Sequence, residues 1–223
     1  MAGTKDTKER ILDAAERIFA EHGLDACSIR EITAGASVNL ASVHYHFGSK
    51  EGLIKAVWER CVGPITERRM ELLDAVDAAA GERPPPLEAI FEALIRPRLC
   101  ENLDPERSEV TRRLISRMFA DPSMHPLIGE SFRAYSERVT SIMRRALPNL
   151  PPCDLAWRIH LALGTVDAIG LPERLDAIAK NLGCVPSKDE GETLNQLVAF
   201  VVAGVKASLP EKISSASPTP GSE

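Results

Sequence analysis

Asn39, Ser42, His44 and Tyr45 lie within seven residues of one another, and each carries a group that donates or accepts a hydrogen bond. The small residue Ala41 sits among them, and Lys50 follows shortly after. Leu40 and Val43, three apart, form an apolar edge on the same stretch. A short helix with an apolar inner edge and an outer edge of small and hydrogen-bonding side chains suits reading of base edges in a DNA major groove. The chemistry is recognition rather than catalysis. His44 and His46 are two apart, so on a helix they diverge and chelate poorly. The chain contains no HExxH, no ExxH pair and no Gly-rich phosphate loop. A nucleophile built from Cys27 or Cys153 with a distant histidine has no local support. These patterns exclude an enzyme and imply neither cofactor nor metal.

The elements that position these residues follow from their neighbours. Ser28 and Glu31 have capping-box spacing and start a helix that carries Ile29, Ile32 and Ala36. That helix ends in the small-residue run Ala34-Gly35-Ala36-Ser37. Asn39 caps the next helix by accepting an orphan N–H one turn in. Phe47 plugs the core beneath it, and Ser49 caps a long helix whose first N–H groups, beside Lys50, form a phosphate-docking end. Upstream, Asp6 and Glu9 also have capping-box spacing. They start a helix near Thr7 with Ile11, Ala15, Ile18 and Phe19 buried, and His22-Gly23 stops it.

The runs Ser28-Ile29-Arg30-Glu31-Ile32, Val38-Asn39-Leu40-Ala41-Ser42-Val43-His44 and Tyr45-His46-Phe47-Gly48-Ser49-Lys50 resemble the DNA-binding domain of the TetR family of bacterial transcriptional regulators. The resemblance covers about the first quarter of the chain. It implies a ligand-responsive regulator, a repressor that binds a pseudo-palindromic operator as a homodimer and is released by a small lipophilic or amphipathic effector. It implies double-stranded DNA as partner, with Ser28, Arg30, Asn39, Ala41, Ser42, His44, Tyr45, His46 and Lys50 as the contact set. The family has glycine in the turn before the valine, where this chain has Ser37. Glycine takes positive φ without steric cost, so Ser37 implies modest strain or a different turn. The segments Asn39-Leu40-Ala41 and Trp157-Arg158-Ile159-His160 with Gly164 resemble a subgroup that senses fatty acids or their thioesters. The alternative reading is a helical interaction or ligand-binding protein of the same fold that has lost DNA binding.

Composition bounds the rest. The chain has 223 residues, 44% hydrophobic, 26% charged, with a net charge of −5. The first sixty residues hold eight cations and nine anions, so net charge alone points away from nucleic acid. A local positive edge and aimed helix N-termini still suffice for a small site. No apolar run reaches the length of a membrane span, and no signal-peptide core follows the charged N-terminus. Five scattered cysteines without a CxxC pair fit packed thiols in a reducing cytoplasm.

Beyond the long helix, periodicity and prolines predict an all-α chain. Gly63-Pro64 predicts a kink near Arg60, either a packing feature or a hinge. Further helices are expected over 87–99, 108–119, 126–147, 153–169, 172–182 and 193–209. The domains divide as a helix-turn-helix unit at 1–52, a larger helical effector-binding and dimerisation unit at 53–210, and a disordered tail at 211–223. The last helix is apolar beyond one face, and the TetR resemblance implies a homodimer through the last two long helices. The expected effector pocket is lined by Leu94, Met118, Phe119, Phe132, Tyr135 and Trp157, with Arg117, His125 or His160 as polar anchors.

Overall fold

The computed structural model describes residues 6–99, 105–168, 172–187 and 189–208. Among these the chain is all helix. The order is α1 (Thr7–His22), α2 (Ile29–Ala36), α3 (Leu40–Phe47), α4 (Lys50–Ala80), α5 (Leu87–Leu99) and α6 (Pro105–Ala120). A 3-10 turn at Pro122–Met124 leads to α7 (His125–Ser131), α8 (Arg133–Ala146), α9 (Pro152–Ala168), α10 (Pro172–Leu182) and α11 (Glu190–Lys206). The tail at 211–223 and the expected helix ends at 169 and 209 lie outside the described residues, as does Cys100.

Two apolar clusters organise the molecule. The first joins Ile11, Phe19, Ile32 and Val43 of the N-terminal helices to Leu53, Val57 and Trp58 of α4 and to Leu114 and Met118 of α6. The second gathers Leu73, Ile90, Phe91, Leu94, Ile142, Leu155, Leu194 and Val202 from α4, α5, α8, α9 and α11. α4 therefore belongs to both. Its continuity matters, because one helix of 31 residues spans the two clusters. It runs unbroken through Pro64, although the proline leaves the Arg60 carbonyl without its usual i+4 donor.

Polar clamps hold other helices against this rod. Arg60 of α4 bonds Glu9 at 3.0 Å, Asp13 at 3.0 Å and Glu16 at 2.6 Å, all on α1. Farther along, Arg138 of α8 bonds Asp74 and Asp77 of α4, and Arg145 also pairs with Asp77. Burial pushes the Arg60 pKa down, but hydrogen bonding and charge from Glu16, then Asp13, outweigh it and the net direction is up. The same network explains why Asp6 and Glu9 form no capping box: Asp6 makes no side-chain cap bond, and the Glu9 carboxylate is drawn to Arg60.

The helix expected over 126–147 is instead α7 and α8, separated at Phe132, whose backbone sits at φ −91, ψ 1. The Trp58 indole N–H donates to Ser131 Oγ at 3.0 Å. The Phe132 ring lies 5.8 Å from Trp58, 6.2 Å from Phe119 and 5.5 Å from Tyr135. This aromatic packing holds Phe132 where an unbroken helix would not leave it. Of the thiols, Cys27 and Cys61 are buried, but Cys153 and Cys184 are exposed, so packing does not account for all of them. Burial pushes the Cys27 thiol pKa up, which disfavours the reactive thiolate.

Candidate nucleic-acid interface

The third helix of the N-terminal unit, α3, presents one side to the core and another to the outside. Val43 and Phe47, four apart, face the core. Ala41, His44 and Tyr45 form the opposite face, and all three are exposed. Leu40 is not the inward residue its spacing suggests. It lies on the Val43 side, but at the first position of α3, where it is left 44% exposed. Tyr45 is 85% exposed, an unusual burial state for a ring that could pack. Its ring stands edge-on to His46 at 5.0 Å, which restricts its direction.

Each end of the unit is fixed by local hydrogen bonds. Ser28 Oγ accepts the Glu31 N–H at 3.2 Å, and Glu31 Oε2 accepts the Ser28 N–H at 2.7 Å and its hydroxyl at 2.8 Å. The Ser28 N–H, then its hydroxyl, hold the Glu31 carboxyl below its ordinary range. The cap is thus complete at neutral pH and is lost as pH falls through that lowered value. Asn39 Oδ1 accepts from the Ser42 N–H and hydroxyl, both at 2.8 Å. That leaves the Asn39 amide group as the outward donor. His44 Nδ1 lies 3.0 Å from the Gly48 carbonyl, an acceptor to which Nδ1 donates. Arg30 is exposed on α2, and His46 is half-buried. Ser49 caps α4, accepting from Gly52 N–H at 3.1 Å, while Lys50 Nζ donates to the Asp25 carbonyl at 3.3 Å.

Ser37 resolves the question raised by its type. It sits at φ 52, ψ 48, and among the described residues it is the non-glycine with positive φ. The turn is the one glycine would make, taken by serine at some steric cost. Arg10 of α1 offsets that cost: its Nη2 donates to the carbonyls of Ala36 at 2.6 Å and Ser37 at 2.8 Å. Sequence reasoning missed Arg10, because a contact spanning 26 residues has no periodic signal.

It also missed Gly52. A Cβ built there would lie 2.1 Å from the Phe47 carbonyl oxygen, so the C-terminus of α3 rests directly on the first turn of α4. Backbone cannot move aside as a flexible side chain can. Gly52→Ala is expected to shift α3 and destabilise the fold by about 1–3 kcal/mol. Chemical denaturation of wild type and variant checks this, and a loss below about 0.5 kcal/mol would show that α3 is free to slide.

The near-neutral charge count also acquires a geometry. Three of the nine acidic groups of the first sixty residues, Glu9, Asp13 and Glu16, are paired with Arg60 between α1 and α4. One guanidinium balances one of these three charges and ties all three carboxylates to the α1–α4 seam.

The expected pocket residues separate. Phe119, Phe132 and Tyr135 line a cavity of about 230 Å³ with Val62, Ile65, Arg69, Arg98, Ile115, Ile128, Ser136 and Leu163. Leu94 is buried beside it, its carbonyl accepting from Arg69 Nε at 2.7 Å. Met118 is buried in the first cluster instead. Arg117 and His125 are exposed, with Arg117 next to Gly23 at the end of α1. Trp157 and His160 are exposed on α9, because that helix turns Leu155 and Ala162 inward. Neither Trp157 nor any of the three expected polar anchors is among the residues that line the cavity. The polar groups that do are Arg69, Arg98, Tyr135 and Ser136. Arg69 was legible in principle: Val62, Ile65, Arg69 and Leu73 share one helical face, so a cation occupies a core register.

A capped helix pair with an exposed second helix, carried on a long rod into a larger helical body, defines a helix-turn-helix transcriptional regulator. Comparison with known proteins gives the same class at both ends of the chain. The profile of bacterial regulatory proteins of the tetR family matches residues 11–57, and the tetracyclin repressor-like C-terminal domain matches residues 92–204. The chain belongs to the TetR family of DNA-binding transcriptional regulators. It is 33% identical over 67 residues to the transcriptional regulator AcrR of Shigella flexneri, covering 30% of this chain and 31% of that protein. It is 28% identical over 127 residues to UidR of Escherichia coli, covering 50% and 64%. The matches therefore span less than two thirds of these relatives. A solved structure described as a fatty acid metabolism regulator of Clostridium perfringens shares the fold, with a TM-score of 0.64 at 16% identity, over 89% of this chain and all of that one.

Proposed function

We propose that this regulator is a repressor that binds a pseudo-palindromic operator as a homodimer and leaves it when a small amphipathic effector enters the cavity beside α4. The observation that carries the reading is the shared rod. Gly52 at one end of α4 supports the reading helix, and Val62, Ile65 and Arg69 on the same helix line the cavity. A ligand that displaces this segment changes the setting of α3. A coupling of about 1–3 kcal/mol gives a roughly 5–150-fold change in operator affinity.

In this reading Tyr45, Ala41, Ser42, His44 and the Asn39 amide face the major groove. Arg30, Ser28 and His46 flank the phosphates, and Lys50 with the α4 N-terminus grips the backbone. Since the Ser28 hydroxyl is engaged with Glu31, its contribution is positional. Residues 1–52 serve as the reading unit and 53–210 as the effector and dimer unit.

Dimerisation is supported by α9 and α11. Cys153, Ala156, Trp157, His160, Leu161 and Gly164 recur at helical spacing on one exposed face of α9. On α11, Ala199, Phe200, Ala203 and Gly204 make a second exposed face, with Phe200 69% exposed. α9 and α11 pack on each other, so the two faces are neighbours, and two copies could form a four-helix interface. Phe200→Glu is expected to weaken the dimer by about 2 kcal/mol, measured by sedimentation equilibrium. A variant that dimerises like the wild type would move the interface elsewhere.

The deciding experiment is a mobility-shift titration on the DNA flanking the gene, at two salt concentrations, followed by random-sequence selection. Specific binding that weakens steeply with salt is expected. Failure in both formats would favour the interaction-protein alternative.

A further inference from the structure

Arg69 is the one charged residue among the described lining of the cavity that is itself more than nine-tenths buried, at 7% exposure. Its Nε donates to the Leu94 carbonyl, and its guanidinium carbon lies 5.8 Å from the centre of the Tyr135 ring. Both contacts orient the group, and neither neutralises it. The described lining contains two arginines, a tyrosine and a serine, but no aspartate or glutamate. Elsewhere in this molecule, buried arginine is handled differently: Arg60, the comparable residue on the same helix, meets three carboxylates. A buried cation without a counter-charge is costly, and a folded protein keeps one where a partner arrives from outside.

The remaining lining defines the rest of that partner. Val62, Ile65, Ile115, Phe119, Ile128 and Leu163 are apolar, and the volume of about 230 Å³ falls below the roughly 300–1,000 Å³ typical of drug-sized ligands. From this we infer that the effector is a small monoanionic amphiphile, with its carboxylate paired to the free edge of Arg69 and its apolar tail against Phe119, Phe132 and Ile128. A planar carboxylate matches the guanidinium fork, and the low-dielectric walls strengthen the pair. The inference rests on the reading of this cavity as the effector site, and adds its charge and size.

Octanoate, octanol and octylamine share one chain and differ in head group, so they serve as probes. Calorimetric titration into the full-length protein is expected to show octanoate binding roughly 30-fold or more tighter than octanol, with octylamine weaker still. Arg69→Met is expected to bring octanoate to the level of octanol and leave octanol unchanged. Its thermal midpoint is expected to equal or exceed that of the wild type, because a buried uncompensated charge is removed. Arg69→Lys should retain part of the preference for octanoate. Equal binding of octanol and octanoate by the wild type would overturn the anionic assignment while leaving the cavity as a ligand site. Octanoate affinity unchanged in a folded Arg69→Met protein would overturn it as well. Binding of none of the three probes would remove both the inference and the cavity reading. The wild-type comparison needs no variant, so it decides the matter even if Arg69→Met fails to fold.

Discussion

Tyr45→Ala is expected to weaken operator binding by about 2–6 kcal/mol, roughly 30-fold or more, without changing the unfolding midpoint. The size follows from one readout contact of about 1–3 kcal/mol in each half-site, counted twice in a symmetric dimer. The unchanged stability follows from exposure: at 85% accessible, the ring contributes almost nothing to the core. Its chief intramolecular partner is His46, itself only half-buried. A pair of measurements tests the claim, a mobility shift on the operator and a thermal melt of the same sample. Affinity within about threefold of wild type would remove Tyr45 from the reading face. A fall in both affinity and midpoint would assign it a packing role instead.

Arg60→Met is expected to destabilise the protein by about 3–5 kcal/mol, the cost of leaving a buried carboxylate without its cation. Glu16 is 4% exposed, and Arg60 Nε meets it at 2.6 Å. The Cys61 thiol also lies close, with Sγ 3.4 Å from the same carboxylate oxygen, and it is too weak a donor to replace a guanidinium. Glu9 and Asp13 are more exposed and contribute less, because water screens them. The effect is read from urea denaturation. Adding Glu16→Leu to Arg60→Met is expected to recover much of the loss, since the buried carboxylate that lost the Arg60 guanidinium is then gone. A single-variant loss below about 1 kcal/mol would mean that water already solvates Glu16. Because the network ties α1 to α4 just before Pro64, the double variant also tests whether this tie is needed for operator binding once stability is restored.

The N-terminal unit was legible in the sequence because its determinants are local. The Ser28–Glu31 box, the Asn39 cap, the Ser49 cap and the Gly23 stop each act within one helical turn, and the structure realises all four. Local patterns also located α5 at its stated ends and the buried face of α6. The all-α class followed from the same periodicity, and membership of the TetR family follows from a run of residues whose order is specific.

Where local pattern was ambiguous, tertiary contacts decided. Capping-box spacing at Asp6 and Glu9 was outweighed by Arg60, which lies 51 residues from Glu9. Leu40, at the first position of α3, is left 44% exposed although it shares a side with buried Val43. An apparently continuous helix was divided at Phe132, whose ring packs on Trp58 and Phe119 from two other segments and on Tyr135 three residues on. The pocket was read least well, since apolar spacing identifies a buried face but not which buried face encloses a void. Trp157 and His160 lie on a stripe of α9 that faces away from the chain, and the Arg69 that faces the cavity was hidden among apolar neighbours.

The chain by itself determined most of the helices and the caps at Ser28, Asn39 and Ser49, because those depend on neighbours within a few residues. The tertiary structure alone decided how charge is distributed, how Ser37 is tolerated, and where the cavity lies. Those depend on contacts such as Arg10 with Ala36, Arg60 with Glu16 and Arg69 with Leu94. Each joins residues 25 or more positions apart, and no periodicity along the chain encodes such a distance.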